Sequence, residues 1–210
     1  LAGSHMIDST YDLAPAEPGK RTLLILGVGP DKEKEAGYQA AYELLRDWSR
    51  GHSEYQVLVK AHPRSKVSFW RQVADEVPHL KVLPHDCHLA DALQRASLVV
   101  NLKSNAVIEA ALARRPVITV SVSGEEDIFA QQRFFGPCVA TVNALQERIS
   151  ELERGYMSGV RQSEAFAEYH LANGCAGLSS NLDALAALLS QQTVPGSLQA
   201  LDSTIEISKC

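Results

Sequence analysis

Residues 97–122, SLVVNLKSNAVIEAALARRPVITVSV, read as strand, tight loop, helix, turn and strand. Leu98, Val99 and Val100 form a short apolar run of the kind found in strands covered on both faces. Lys103, Ser104 and Asn105 follow, and Ser and Asn are residue types that cap helices. Residues 106–114 are rich in helix formers, with Val107, Ala110 and Ala111 at helical spacing toward a core. Arg114 and Arg115 fall in the expected last turn, where cations complement the helix dipole. Pro116 ends the helix, and 117–122 begins a second buried strand. Such a unit aims the start of its helix out of the carboxyl edge of a parallel sheet. Free N–H groups are therefore expected near Ser104 and Asn105, where they can hold a phosphate or serve only as a cap. Glu109, one turn further along, is placed to accept from sugar hydroxyls or to stand in solvent.

Working outward, the 210 residues suit one domain, or one and a small appendage. Residues 3–6, GSHM, read as the remnant of an expression tag, so 1–6 are set aside. Residues 7–21 carry Ser, Thr, Asp, Ala and Pro without apolar periodicity and read as a linker. Residues 22–191 form the domain, and 192–210 a weakly patterned tail. A net charge of −5 argues against a nucleic-acid partner. No apolar run approaches the roughly 20 residues that cross a bilayer. Cys87, Cys138, Cys175 and Cys210 are widely spaced with no CxxC pair, the usage of free thiols in a reducing, cytoplasmic compartment.

Strands are expected at 22–28, 55–60, 80–83, 98–100, 117–122 and 138–142. Helices are expected at 34–50, 67–77, 88–95, 106–114, 144–154 (capped by Asn143), 161–171 and 180–191, with a helix or ordered loop at 124–135. Tyr38, Ala41, Tyr42, Leu45 and Trp48 mark the buried face of the first helix. This alternation predicts an α/β fold: a single doubly wound, mostly parallel, Rossmann-like domain with C-terminal helices. Ligands of such sheets bind outside the carboxyl ends of the strands, which groups 27–31, 60–65, 84–86 and 101–105 on one rim. Gly27-Val28-Gly29-Pro30 lacks the third glycine of GxGxxG, and neither a P-loop nor a GxSxG elbow is present. Nicotinamide, flavin, P-loop and serine-hydrolase chemistry are disfavoured accordingly.

His62 ends the second strand on the rim predicted for Ser104, with Pro63 fixing the turn behind it. Lys60, Arg64 and Lys103 add positive charge there, an electropositive mouth suited to a diphosphate. His85, Cys87 and His88 have poor zinc spacing, so no metal is expected.

VLVKAHPRS at 57–65, followed by SLVVNLKSNAVIEAALARRPVITV at 97–120, resembles the donor half of a GT-B glycosyltransferase. The likeness is to bacterial capsule and lipopolysaccharide enzymes that use CMP-activated Kdo or sialic acid, with UDP-sugar and CDP-glycerol enzymes as relatives. EYHLANGCAGLSSNLDALAALL at 168–189 resembles the terminal helices of capsule-synthesis transferases. The resemblance implies donor-phosphate contacts from His62, Arg64, Ser104 and Asn105 and a ribose contact from Glu109. Lys60, Pro84, His85 and Lys103 are further candidates for base or phosphate contacts.

It also implies a nucleotide sugar, CMP- or UDP-linked, as substrate, with no tightly bound cofactor. The partners implied are a saccharide or lipid-linked acceptor and an N-terminal acceptor domain or partner subunit absent from this stretch. Without that half the chain binds donor but is expected to be inactive alone, and no catalytic residue is assigned. A location in the cytoplasm, including the cytoplasmic face of the inner membrane through other domains, fits this role. Two other readings stay open: a non-catalytic Rossmann-like docking module in a polysaccharide assembly complex, and half of a sugar-nucleotide epimerase.

Overall fold

The computed structural model describes residues 7, 11–17 and 19–192, so the expected tail beyond 192 and the tag remnant lie outside the described residues. Five strands form one sheet: Thr22–Leu26 (β1), Gln56–Lys60 (β2), Leu80–Val82 (β3), Leu98–Asn101 (β4) and Val117–Thr119 (β5). The helices are Ala36–Gly51 (α1), Ser68–Glu76 (α2), Leu89–Arg95 (α3), Val107–Leu112 (α4), Gln131–Phe135 (α5), Val142–Arg154 (α6), Tyr156–His170 (α7) and Gly177–Gln192 (α8).

The strand order is β3-β2-β1-β4-β5 and every pair is parallel, with Leu24 opposite both Leu58 and Val99. The chain winds from β1 out to β3, then crosses back to add β4 on the far side of β1. That reversal leaves a crevice at the carboxyl ends of β1 and β4, the switch point where doubly wound sheets take ligands.

β1 is TLLIL because both of its faces are covered. Leu23 and Ile25 pack with the α1, α2 and α6 residues Leu45, Trp70 and Ile149, while Leu24 and Leu26 pack with Leu93, Ala110 and Phe166 of α3, α4 and α7. The face read for α1 is the one that is buried, Tyr38, Ala41, Tyr42, Leu45 and Trp48. Burying so many large side chains on two faces is the main stabilising term of the domain, at roughly 1.5–3 kcal/mol for each.

Three local expectations are corrected. Residues 138–142 make no sixth strand but a single parallel bridge, Val120 with Val139. Thr141 ends it by capping α6, its Oγ1 accepting from Ala144 N at 3.1 Å, so the cap is Thr141 and not Asn143. Next, α4 stops at Leu112, before Arg114 and Arg115, because Arg114 takes φ +54°. Both guanidiniums serve elsewhere. Arg114 pairs with Asp12 and donates to Leu13 O at 2.8 Å, and Arg115 is buried, donating to Leu93 O at 2.8 Å and Ala14 O at 2.7 Å. Finally, α7 and α8 begin earlier than expected, at Tyr156 and Gly177. Among the described residues no helix is long and apolar enough to cross a membrane.

Candidate functional site

β1 and β2 run out side by side, and Gly27 N donates to Lys60 O at 2.9 Å. A Cβ on Gly27 would stand 3.0 Å from Ala61 Cα, so the absence of a side chain is what lets these two loops touch. Beyond them a cavity of about 440 Å³ opens at the carboxyl rim. Lys60 lines it from the end of β2, His62 and Pro63 from the loop that follows, His85 to His88 from the loop after β3, Leu89 from the start of α3, and Ser104, Ala106 and Glu109 from α4 and the loop before it.

His62 is half-buried, and its Nδ1 accepts from Arg64 N at 3.1 Å. The neutral ring therefore carries its proton on Nε2, a donor on the wall of the cavity. Burial first, then the charge of Arg64, hold its pKa below the ordinary histidine value; Glu33 opposes this and Lys60 adds to it. At neutral pH the ring is uncharged.

Ser104 is positioned from below, its N–H donating to Asn101 Oδ1 at 3.1 Å. Its Oγ accepts from Ala106 N at 3.3 Å, which leaves the hydroxyl proton to donate. The open helix start expected here is not found. Val107 N donates to Ser104 O at 3.2 Å and Ile108 N to Asn105 O at 3.1 Å, so the turn before the six-residue α4 takes up the amides of its first two residues. An anion in this cavity meets side-chain donors rather than a bare helix end.

Of the nine residues expected at the site, Lys60, His62, His85, Ser104 and Glu109 line the one cavity. The other four are not brought to it. Arg64 lines a separate hollow with Glu33, Tyr42 and Phe69, because the turn closed by Ser65 N on His62 O (2.9 Å) reverses the chain between His62 and Arg64. Lys103 takes φ +63° and its Nζ lies 3.9 Å from Cys138 Sγ. Asn105 and Pro84 are exposed outside the lining. The positive charge at the mouth thus narrows to Lys60, with His62 beside it as a neutral donor.

Ala61, Cys87, Leu89 and Ala106, which sequence reasoning did not single out for the site, give the cavity an apolar wall suited to a nucleoside. Their signal was position alone, next to or within the four rim segments. Cys87, expected as a free thiol, is one, and it borders the cavity with His88.

No protein-family profile and no curated protein sequence matches the chain. Solved structures do. The pneumococcal O-GlcNAc transferase GtfA in complex with UDP and GlcNAc superposes with a TM-score of 0.57 at 13% identity, covering 89% of this chain and 38% of GtfA. A putative UDP-N-acetylglucosamine 2-epimerase from Listeria monocytogenes gives 0.54 at 15% identity, covering 83% of this chain and 46% of the epimerase. The C-terminal domain of the group 1 glycosyl transferase LpcC from Francisella tularensis gives 0.51 at 16% identity, covering 77% of this chain and 95% of that domain. The chain thus spans less than half the length of the first two. At these identities the likeness is one of fold: a Rossmann-like half of a GT-B architecture.

Proposed function

We propose that the chain is the donor-binding half of a glycosyltransferase and that the cavity at its rim holds a pyrimidine nucleotide sugar. The observation that carries this reading is that His62, Lys60, Ser104 and Glu109, from two stretches some 40 residues apart, line one cavity at the switch point of the sheet. In it His62 Nε2–H, Ser104 Oγ–H and Lys60 Nζ meet the phosphates, Glu109 accepts from the ribose hydroxyls, and the apolar wall with His85 flanks the base. When the bond from the sugar's anomeric carbon to the phosphate oxygen breaks, negative charge gathers on the departing nucleotide. Donors already aimed at those oxygens stabilise that charge without reorganising. No residue of this chain is assigned as the base that activates the acceptor. In this reading a second domain or a partner subunit supplies it, together with the saccharide or lipid-linked acceptor.

UDP is the preferred nucleotide, since GtfA was solved with UDP; CMP-linked Kdo or sialic acid is the competing assignment from the HP motif at 62–63. Calorimetric titration with UDP, CDP and CMP tests both points. Binding of one nucleotide with micromolar to sub-millimolar affinity is expected. No heat with any of them at millimolar concentration would overturn the reading in favour of a docking module. The likeness to the Listeria epimerase supports a second reading, half of a sugar-nucleotide epimerase. Release of epimerised sugar without an acceptor, once the second half is supplied, would distinguish it.

A further inference from the structure

β4 reads LVVN, three apolar residues and then Asn101, a polar side chain with no exposure at the strand's carboxyl end. Two more buried polar side chains surround it, Thr119 at the end of β5 and Gln131 at the start of α5. Asn101 Nδ2 donates to Gln131 Oε1 at 2.8 Å, and Thr119 Oγ1 donates to the same oxygen at 3.4 Å. On its other side Asn101 Oδ1 accepts from the backbone N–H of Ser104. The orientation of both amides is fixed by this chain. A backbone N–H only donates, so Asn101 must turn its oxygen to Ser104 and its nitrogen to Gln131, which must answer with oxygen.

That order leaves Gln131 Nε2 buried with no partner among the described residues. A buried donor left unpaired is destabilising, so stability alone does not explain an amide at 131. Gln131 is itself held, because Asp127 Oδ1 accepts from its N–H at 2.9 Å while Oδ2 accepts from Gln132 N at 2.8 Å. The stand of the Ser104 loop is therefore set through Asn101 by α5, whose Gln131 lies 30 positions beyond Asn101 in sequence.

We propose that Asn101 and Gln131 are positioning residues, which touch no ligand but hold Ser104 against the cavity where a phosphate is bound. The proposal rests on the nucleotide reading above and adds a division of labour to it. Loosening this relay displaces Ser104, whereas α4, anchored by buried Val107, Ala110 and Ala111, keeps Glu109 in place. Phosphate binding suffers and nucleoside binding does not.

The test compares UDP with uridine on the full chain and follows amide hydrogen exchange at Ser104. Gln131→Met removes the acceptor but keeps the length of the side chain; Gln131→Glu, assayed at about pH 5.5 where burial keeps the carboxyl neutral, keeps an acceptor oxygen. Gln131→Met is expected to weaken UDP about 10-fold, leaving uridine within about 2-fold of its normal affinity, the scale of one lost hydrogen bond. Exchange at Ser104 rises about 10-fold or more while the β1 amides stay protected, the mark of local rather than global opening. Gln131→Glu brings both back toward normal. Should Gln131→Met fail to fold, Thr119→Val, which removes only the longer contact, must show the same split at smaller size. Equal losses of UDP and uridine, or unchanged UDP affinity and Ser104 exchange, would overturn the positioning role while leaving the nucleotide reading intact. Failure of the natural sequence to bind either UDP or uridine would overturn both.

Discussion

Between β2 and α2 the chain turns using its own nearby atoms. Ser65 N reaches His62 O at 2.9 Å, Arg64 N reaches His62 Nδ1 at 3.1 Å, and Val67 N reaches Ser65 Oγ at 3.0 Å. Between β4 and α4, across the cavity, the loop leans on Asn101 and through it on Gln131, 30 residues further on. Each loop also places one non-glycine residue in the left-handed region, Val67 at φ +58° and Lys103 at φ +63°. For a β-branched residue such as Val67 that backbone is strained and is retained only where its surroundings impose it. One wall of the site is thus closed by its own backbone turn, with a single distant tether from Ser65 Oγ to Glu33 Oε1 at 2.6 Å, while the other adds to its turn a buried side-chain relay that ends at Gln131. The first should tolerate changes around α5; the second should not.

The contrast can be broken most forcefully at His62. His62→Ala removes the donor of the locally built wall and should weaken UDP roughly 10- to 100-fold, the range for a hydrogen bond to a charged group. Calorimetry reads that loss, and the midpoint of thermal unfolding should hardly move, because the ring is only half-buried. Ser104→Ala on the opposite wall removes a second neutral donor to the same charged phosphate, and a loss toward the lower end of that range, about 10-fold, is expected by the same titration. Glu109→Ala sharpens the picture at the ribose. The natural chain should prefer uridine over 2′-deoxyuridine by about 5-fold, and the variant should lose that preference, the worth of one hydrogen bond.

The smallest expected effect lies in the titration of His62. Its pKa is held below the ordinary value, chiefly by burial and next by Arg64, so the unfolded chain takes up this proton more readily than the folded one. The associated stability is complete above about pH 6.5 and is lost as the pH falls from there through the folded pKa. His62→Gln should flatten that part of the stability profile. Nitrogen NMR of the ring should show a titration below the usual midpoint and a neutral form protonated at Nε2. A raised midpoint, or a proton on Nδ1, would break the local wall as described.

How much of this was legible in the sequence follows from the same contrast. The parallel sheet, the buried face of α1 and the convergence of His62 with Ser104 come from periodicity and from the rule that strand ends share a rim, which are short-range signals. What went astray depends on contacts far apart or on single backbone angles. Residues 138–142 have strand composition, yet Thr141 offers its hydroxyl to Ala144 N and starts a helix instead. Arg64 sits two residues from His62 in sequence but faces another hollow, because the turn between them reverses the chain. Nothing local marks Gln131 as a partner of Asn101, and no rule of helix starts foretold that the first two amides of α4 would be taken up by Ser104 and Asn105.

The most direct test of the shared cavity is NMR on isotope-labelled protein titrated with UDP. The amides of Gly27 and Ser104 and the ring of His62 should shift together along one binding curve, since all three residues line the same space. Shifts confined instead to the hollow around Arg64 and Phe69, or no shift at millimolar UDP, would contradict a nucleotide held between these two loops.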